Sequence, residues 1–134
     1  MVLADSYLQQ IPLQISAVEK ITSYGYSKRF SDSSASKKIQ LQALNLAKKK
    51  KNIDDEVICY SYLALTQRRL LHLKDFTRYA DTAYILAQKS SKLRVKAFAS
   101  LAMGTLKSYI DDKPQAIDHL LHSYALFNKI DAHD

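Results

Sequence analysis

The sequence contains few of the residues that make tight turns and cross-links. Its 134 residues include two glycines, two prolines, one cysteine and no tryptophan. Two glycines are too few for the many turns of an all-β protein. A single cysteine excludes an internal disulfide and a zinc site built from several cysteines. All-β folds and disulfide-stabilised folds are therefore excluded.

The sequence also lacks the segments that would direct it to a membrane. No run reaches the roughly 18 uncharged apolar residues that a membrane span needs. Residues 1–10 include Asp5 and have no basic segment followed by an apolar one, so we do not expect a signal peptide. A cytoplasmic location and a bacterial periplasm-facing location both stay open.

Helix-forming residues dominate what is present. Apolar residues make up 47% of the chain and charged residues 25%. Alanine and leucine, which are among the commonest residues here, are strong helix formers. A chain of this length can bury a core of its own. We therefore expect an all-α protein with a single domain over residues 1–134.

The basic residues are concentrated in the first part of the chain. The net charge is +7, and residues 1–50 hold eight lysines and arginines against three acids. Residues 48–51 are four consecutive lysines, a pattern typical of a nucleic-acid-binding surface or of a helix end. Asn52 and three acids follow at once, which favours the helix end. A nucleic-acid-binding helical protein that uses this lysine-rich third stays the alternative.

The chain repeats itself with a period of about 40 residues, which lies within the range of helical repeat arrays. Residues 43–49 match residues 83–89 and, more weakly, residues 123–129. Apolar residues follow the three-to-four spacing of helices between these segments. The self-match favours three stacked antiparallel helical hairpins over a plain bundle. The predicted hairpins cover about residues 13–51, 53–90 and 93–130, with helices near 15–30, 34–51, 53–72, 75–90, 93–110 and 114–130.

Single residues mark where these helices begin and touch. Asn52 is a predicted N-cap, and Pro114 suits the first turn of a helix. The serine-rich residues 31–36 form a break between two helices. Gly104 lies inside a helix, where glycine costs about 1 kcal/mol relative to alanine. We therefore expect Gly104 to allow a close helix contact.

The third repeat resembles a tetratricopeptide (TPR) repeat. The resemblance is carried by residues 101–104 (LAMG), 109–117 (YIDDKPQAI) and 124–126 (YAL). Gly104 and Ala116 match the two small-residue places of that family. The preceding repeat keeps Ala64 but has Phe76 at the second place. The family tryptophan is absent, and the usual period of the family is shorter, at about 34 residues.

The resemblance implies a fold and a class of function. A right-handed α-solenoid of three TPR-like hairpins is similar to the repeat segments of bacterial sensor kinases and transcription regulators. It implies a non-enzymatic protein-interaction or ligand-sensing module for signal transduction or transcription regulation. No output domain is recognised here, so we expect a fragment of a longer protein.

Few residues suggest catalysis or metal binding. His119 and His122 are three apart beside Asp118, but a catalytic zinc site needs a further ligand. Cys59 lies in an apolar stretch with no histidine near in sequence, as expected of a buried thiol. We therefore predict no enzyme, cofactor or metal. A metal-dependent enzyme hidden in the histidine cluster stays a third hypothesis.

The register of the self-match also aligns polar residues at the ends of the first helices. It aligns Lys28 with Arg68 and Ser108. In TPR arrays the first helices line the concave face, so the resemblance implies a groove here. An acidic peptide or other anion is the natural partner of such cations; idle basic helix ends are the alternative. The predicted groove consists of Lys28, Arg29, Tyr62, Arg68, Arg69, Thr105, Ser108 and Tyr109.

The last predicted helix lacks a polar outer face. Leu120, Tyr124 and Phe127 would normally be covered by a further repeat or a capping helix. We therefore predict self-association or a partner contact through the C-terminal hairpin.

Overall fold

The computed structural model describes residues 15–69, 72–110 and 112–133, and this part of the chain is helical without strands. The all-α prediction is confirmed. The six helices are α1 (Ala17–Ser27), α2 (Ser33–Lys49), α3 (Ile53–Arg69), α4 (Leu73–Ala87), α5 (Leu93–Tyr109) and α6 (Lys113–His133).

Polar side chains cap the N-termini of several helices. Each cap accepts a hydrogen bond from a main-chain N–H group that has no partner within the helix. Ser16 Oγ accepts a bond from Glu19 N, and Asn52 Oδ1 accepts one from Asp55 N at 3.1 Å. The predicted cap at Asn52 is therefore confirmed. Pro114 lies in the first turn of α6, also as predicted. α1 and α4 end at Ser27 and Ala87, each three residues earlier than predicted, and α6 continues to His133, three residues later than predicted.

The four lysines of residues 48–51 lie at the end of α2 and in the turn after it. Lys51 has a positive φ of 54°, a conformation that normally favours glycine. It allows Asn52 N to bond Ala47 O at 3.1 Å, which closes the helix end. Lys48 Nζ lies 5.7 Å from the ring centroid of Tyr60 in α3. The lysines thus stand where they offset the negative end of the helix dipole.

The helices differ in how closely they approach one another. We call α1, α3 and α5 the first helices, and α2, α4 and α6 the second helices. Each helix packs against the next one along the chain, and α3 also packs against both α1 and α5. In the described part of the chain, no Cα atom of α2 lies within 8 Å of α4, nor one of α4 within 8 Å of α6. Long side chains make the contacts between second helices, through Lys37 with Asp75 and Tyr84 with His119.

The core consists of small and medium apolar side chains at these crossings. Phe76 and Leu63 are the largest apolar side chains that are fully buried. Fully buried alanines lie at these crossings. Burial of such side chains supplies most of the stability of a helical domain. The fully buried alanines are Ala43, Ala47, Ala64, Ala80, Ala83, Ala97 and Ala102.

The two glycines lie at close helix contacts, and they fix the register of the repeats. A Cβ atom at Gly104 would lie 2.8 Å from Leu120 Cγ, and one at Gly25 would lie 3.0 Å from Gln40 Cγ. The predicted close contact at Gly104 is confirmed. Ala64 stands one full period of the self-match before Gly104, whereas Gly25 stands one residue less than a full period before Ala64. The step from α1 to α3 is therefore one residue shorter than the step from α3 to α5.

The outer face of α6 is only partly as predicted. Leu120 and Tyr124 are exposed. Phe127 is half-buried, because its ring packs edge-on against Phe98 at 5.6 Å between centroids. Within the described residues, no helix combines the length and the apolar character that crossing a membrane requires.

Candidate functional site

The predicted groove residues lie mostly at the C-terminal ends of the first helices. Lys28 is the C-cap of α1, Arg68 lies in the last turn of α3, and Ser108 and Tyr109 end α5. Each cation therefore stands near the negative end of a helix dipole, where positive charge is favourable. The side chain of Arg69 is outside the described part of the chain. This location is compatible with both the groove and the idle-end interpretations.

The register set by the glycine contacts pairs these residues differently from the 40-residue self-match of the sequence. Because the step from α1 to α3 is the shorter one, Arg29 corresponds to Arg68 and Ser108. Lys28 then corresponds to Gln67, which is fully buried. The structural register thus differs by one residue from the sequence alignment in the first repeat. Arg29, in the turn after α1, and Arg68, in the last turn of α3, are the two cations that correspond in this register.

Arg29 is held by aromatic rings. Its guanidinium carbon lies 3.8 Å from the ring centroid of Tyr26 and 4.3 Å from that of Phe30. Its Nη1 donates to the main-chain oxygen of Tyr26 at 2.9 Å. Lys28 points to another ring, with its Nζ 5.2 Å from the centroid of Tyr24. Stacking on rings orients a guanidinium while leaving most of its N–H groups available.

The other predicted groove residues differ in exposure. Arg68 and Ser108 are exposed, whereas Thr105 is half-buried. The hydroxyl of Thr105 donates to Leu101 O at 2.8 Å. The ring of Tyr109 meets that of Phe76 edge-on at 5.9 Å between centroids. Arg68 is thus the most accessible cation of the described groove residues, and Thr105 supports its own helix.

Tyr62 belongs to a chain of ring contacts that crosses the first helices, which we call the aromatic row. Centroids of Tyr26 and Tyr62 are 5.0 Å apart, and those of Tyr62 and Phe98 are 5.4 Å apart. Phe127 of α6 extends the row beyond Phe98. Burial raises the pKa of the Tyr62 hydroxyl above its ordinary value. The row brings Tyr62 to Arg29 through Tyr26, so these two predicted residues do belong to one surface.

A buried ion pair lies beside this row and was missed by the sequence analysis. Both guanidinium ends of Arg94 in α5 donate to the carboxylate of Glu19 in α1. The Glu19 side chain is only 4% exposed, and Arg94 also lies 5.1 Å from the centroid of Phe98. The hydrogen bonds to Glu19 raise the pKa of Arg94. The two residues are far apart in sequence, and nothing local in either segment marks them as partners.

Four ion pairs occur in the described ranges, and Arg29 and Arg68 take part in none of them. The acids of those pairs contact lysines or arginines elsewhere. A cation without a carboxylate partner attracts an anion. The arrangement can therefore accept a carboxylate or a phosphate on this side of the molecule.

The thiol of Cys59 has no reactive setting. Cys59 is fully buried in α3, and burial raises its pKa from 9.0 to about 12. Nearby Asp55 and Glu19 also raise this pKa, whereas the neighbouring Thr22 side chain lowers it. A thiol with this pKa is almost entirely protonated near neutral pH, and a protonated thiol is a poor nucleophile. Cys59 packs as a small apolar side chain.

The histidine cluster does not gather ligands. His119 is half-buried and its ring meets Tyr84 edge-on at 5.2 Å between centroids. His122 is exposed and lines a small cleft of about 120 Å³ with Tyr84 and Lys96. No group of three or more histidines, cysteines or acids in the described ranges could hold a metal ion.

Comparisons of the chain with protein-family models, with curated proteins and with solved structures give no match.

Proposed function

We propose that this chain is a non-enzymatic protein-interaction module, built as a TPR-like array of three hairpins, that binds an acidic peptide on its first-helix side. The helix contacts support the array. First helices pack against one another, while second helices meet only through long side chains. Such a difference between two sides bends a stack of hairpins, with the first helices on the inner side.

The observation that carries the peptide-binding proposal is the state of Arg29 and Arg68. Arg29 is held on two rings, Arg68 is exposed, and neither is paired with an acid in the described ranges. An arginine already oriented by stacking loses little freedom when it binds a carboxylate. Tyr26 and Tyr62 supply an aromatic surface next to Arg29. Such a surface suits an acidic peptide with apolar residues between its charges.

The resemblance to repeat segments of bacterial regulators supports a role within a larger signalling or transcription-regulating protein. In that setting the acidic segment would belong to the regulator itself or to a protein partner. The basic surface requires only that the segment present carboxylates at the spacing of the first helices, roughly 10 Å apart.

The test is charge reversal at Arg29→Glu together with Arg68→Glu in the full chain. The probe is a fluorescent peptide of alternating glutamate and leucine, and the readout is its anisotropy. We expect at least about tenfold weaker binding, because a charge-assisted hydrogen bond contributes about 1.5–3 kcal/mol when desolvated and less when exposed. Circular dichroism must show an unchanged helical spectrum.

A matched control separates this groove from general charge attraction. Lys49→Glu together with Lys50→Glu makes the same change of net charge at exposed residues at the end of α2. Unchanged peptide affinity in the arginine variant overturns the proposal. So does an equal loss in the lysine variant, because the binding would then be non-specific.

A further inference from the structure

One position of the repeat is exposed on α6 but covered by neighbouring helices on α2 and α4. Leu44, Tyr84 and Tyr124 occupy the same place of the repeat in α2, α4 and α6. Leu44 is 4% exposed and Tyr84 is half-buried, whereas Tyr124 is 66% exposed. One turn earlier the same change occurs, since Ala80 is buried and Leu120 is exposed. The face of α6 that carries these residues is equivalent to a covered face of α2 and α4.

The following first helix covers this face in the inner repeats. At the junction of α2 and α3, Gln40 Nε2 donates to Thr66 Oγ1 at 2.8 Å. At the same junction Lys48 lies against the ring of Tyr60. α5 likewise packs against α4, the second helix that precedes it in the chain. The natural complement of the α6 face is therefore the outer side of a first helix.

The exposed face of α6 is also more apolar than its inner counterparts. Ile117 and Leu121 are exposed, and they flank Leu120 and Tyr124 on one side of the helix. The corresponding residues of α4, one period earlier, are Thr77 and Asp81. A helix that closes a repeat array carries a polar outer face. α6 instead carries a contiguous apolar face, which indicates a covered surface.

Among the described helices, α1 is the one first helix without a preceding second helix packed against it. In the structural register, Tyr24 corresponds to Leu63 and Ile21 corresponds to Tyr60. Leu63 is fully buried, whereas Tyr24 is 56% exposed, and Ile21 is exposed as well. Tyr60 in α3 is half-buried against α2 and α4. α1 thus presents the surface that α3 uses to pack on α2.

We propose that copies of this chain associate head to tail, with α1 of one copy packed on α6 of the next. The contact continues the junction that the chain makes at α2–α3 and again at α4–α5. Exposed charges of opposite sign, Lys20 on α1 and Asp118 on α6, also border the two faces. Such a contact joins two different surfaces, so it produces an open chain of copies or a closed ring rather than an isologous dimer. The inference rests on the proposed array but not on peptide binding.

The test uses the full chain and two variants, Tyr24→Glu and Leu121→Glu, each of which places a charge on one face. Sedimentation velocity is run from about 10 μM to about 1 mM, a range that covers weak self-association. We expect the mass of the unsubstituted protein to rise with concentration, while each variant alone stays monomeric. Each variant keeps one intact face, and these faces are complementary. An equimolar mixture should therefore reach twice the monomer mass and no more.

Ile85→Glu is the matched control, because Ile85 is an exposed apolar residue of α4 outside both faces. This variant should associate like the unsubstituted protein, and circular dichroism should show all variants folded. The proposal is overturned if the unsubstituted protein stays monomeric over this range. It is overturned if Leu121→Glu blocks association and Tyr24→Glu does not, because that result indicates an α6–α6 dimer. It is also overturned if the equimolar mixture stays monomeric.

Discussion

The first and second helices of this protein differ in what joins neighbouring repeats. Ser16 Oγ donates to Asp55 Oδ1 at 2.8 Å between α1 and α3, and Glu19 pairs with Arg94 across α1 and α5. The aromatic row follows the same three helices. On the other side, a salt bridge of 3.9 Å and one ring contact join the second helices. Among helices of the same kind, the side-chain contacts therefore lie mainly between the first helices, and substitutions there should cost the most.

The largest effect is expected from Arg94→Met, which leaves the buried Glu19 carboxylate without its partner. Removing one member of a buried ion pair costs several kcal/mol, and we expect a loss of about 2–4 kcal/mol in the free energy of unfolding. Glu19→Gln should cost less, because the Arg94 side chain is a quarter exposed and can reach water. Urea unfolding followed by circular dichroism measures both values.

Two variants sharpen this prediction. Lys92→Met breaks the exposed pair of Lys92 with Asp54 and should change stability by less than about 0.5 kcal/mol. Arg94→Met combined with Glu19→Leu replaces the pair by apolar groups and should recover much of the loss. If Arg94→Met cost no more than Lys92→Met, the first-helix side would not hold the repeats together as described.

The next effect concerns the contact within a hairpin rather than between repeats. Gly104→Leu would force a side chain against Leu120, and overpacking of this kind costs about 1–3 kcal/mol. Gly104→Ala should be milder, because alanine favours the helix by about 1 kcal/mol and offsets part of the strain. Thermal unfolding measures the difference.

The contact partner and an exposed site supply the controls for Gly104. Leu120→Ala in the Gly104→Leu background should relieve part of the loss, since it removes the side-chain atoms nearest the new Cβ. Ser108→Leu, at an exposed site in the same helix, should have little effect. A Gly104→Leu protein as stable as the unsubstituted one would contradict the close approach of α5 and α6.

The smallest effect is a pH dependence from the second-helix side. Burial lowers the pKa of His119 below its ordinary 6.5, and nearby Lys107 and His122 lower it further, while Asp118 raises it. The unfolded chain therefore takes up this proton first as the pH falls. The contribution of neutral His119 to the free energy of unfolding is therefore complete above pH 6.5. It decreases as the pH falls below 6.5 toward the lower pKa of the folded state.

The measurement compares unfolding free energies between about pH 7.5 and about pH 5.5. His119→Gln should reduce the loss of stability over this range, whereas His122→Gln, at an exposed site, should keep most of it. An identical loss in the His119→Gln variant and the unsubstituted protein would show that this histidine is not the titrating group.

Local signals explain why the helices were predictable from sequence. The Asn52 cap, the proline in the first turn of α6 and the three-to-four apolar spacing each depend on neighbouring residues only. The close contact at Gly104 was predictable as well, because glycine inside a helix is unfavourable unless a neighbouring helix needs the space. The early end of α1 was missed, since residues 28–30 are all compatible with a helix.

The candidate site was predictable only in part, because its geometry depends on the register between distant helices. The sequence placed Arg29, Arg68 and Tyr62 on the first helices, yet a one-residue shift in the first repeat changes which cations correspond. Neighbours in the aromatic row, Tyr26 with Tyr62 and Tyr62 with Phe98, are separated by one helical turn less than the period of the self-match. Rings that contact each other across neighbouring helices therefore do not stand at aligned positions of the self-match, so the alignment did not pair them.

The burial of Cys59 gives the protein a built-in reporter of its own opening. If the helices form the proposed array, it should open in pieces, with its ends fraying before its middle. Cys59 lies in α3, between α1 and α5, and it is the one cysteine of the chain. A thiol reagent reaches it only when α3 separates from the helices around it. Its labelling rate in the native protein therefore gives the frequency of internal opening, without any label having been introduced.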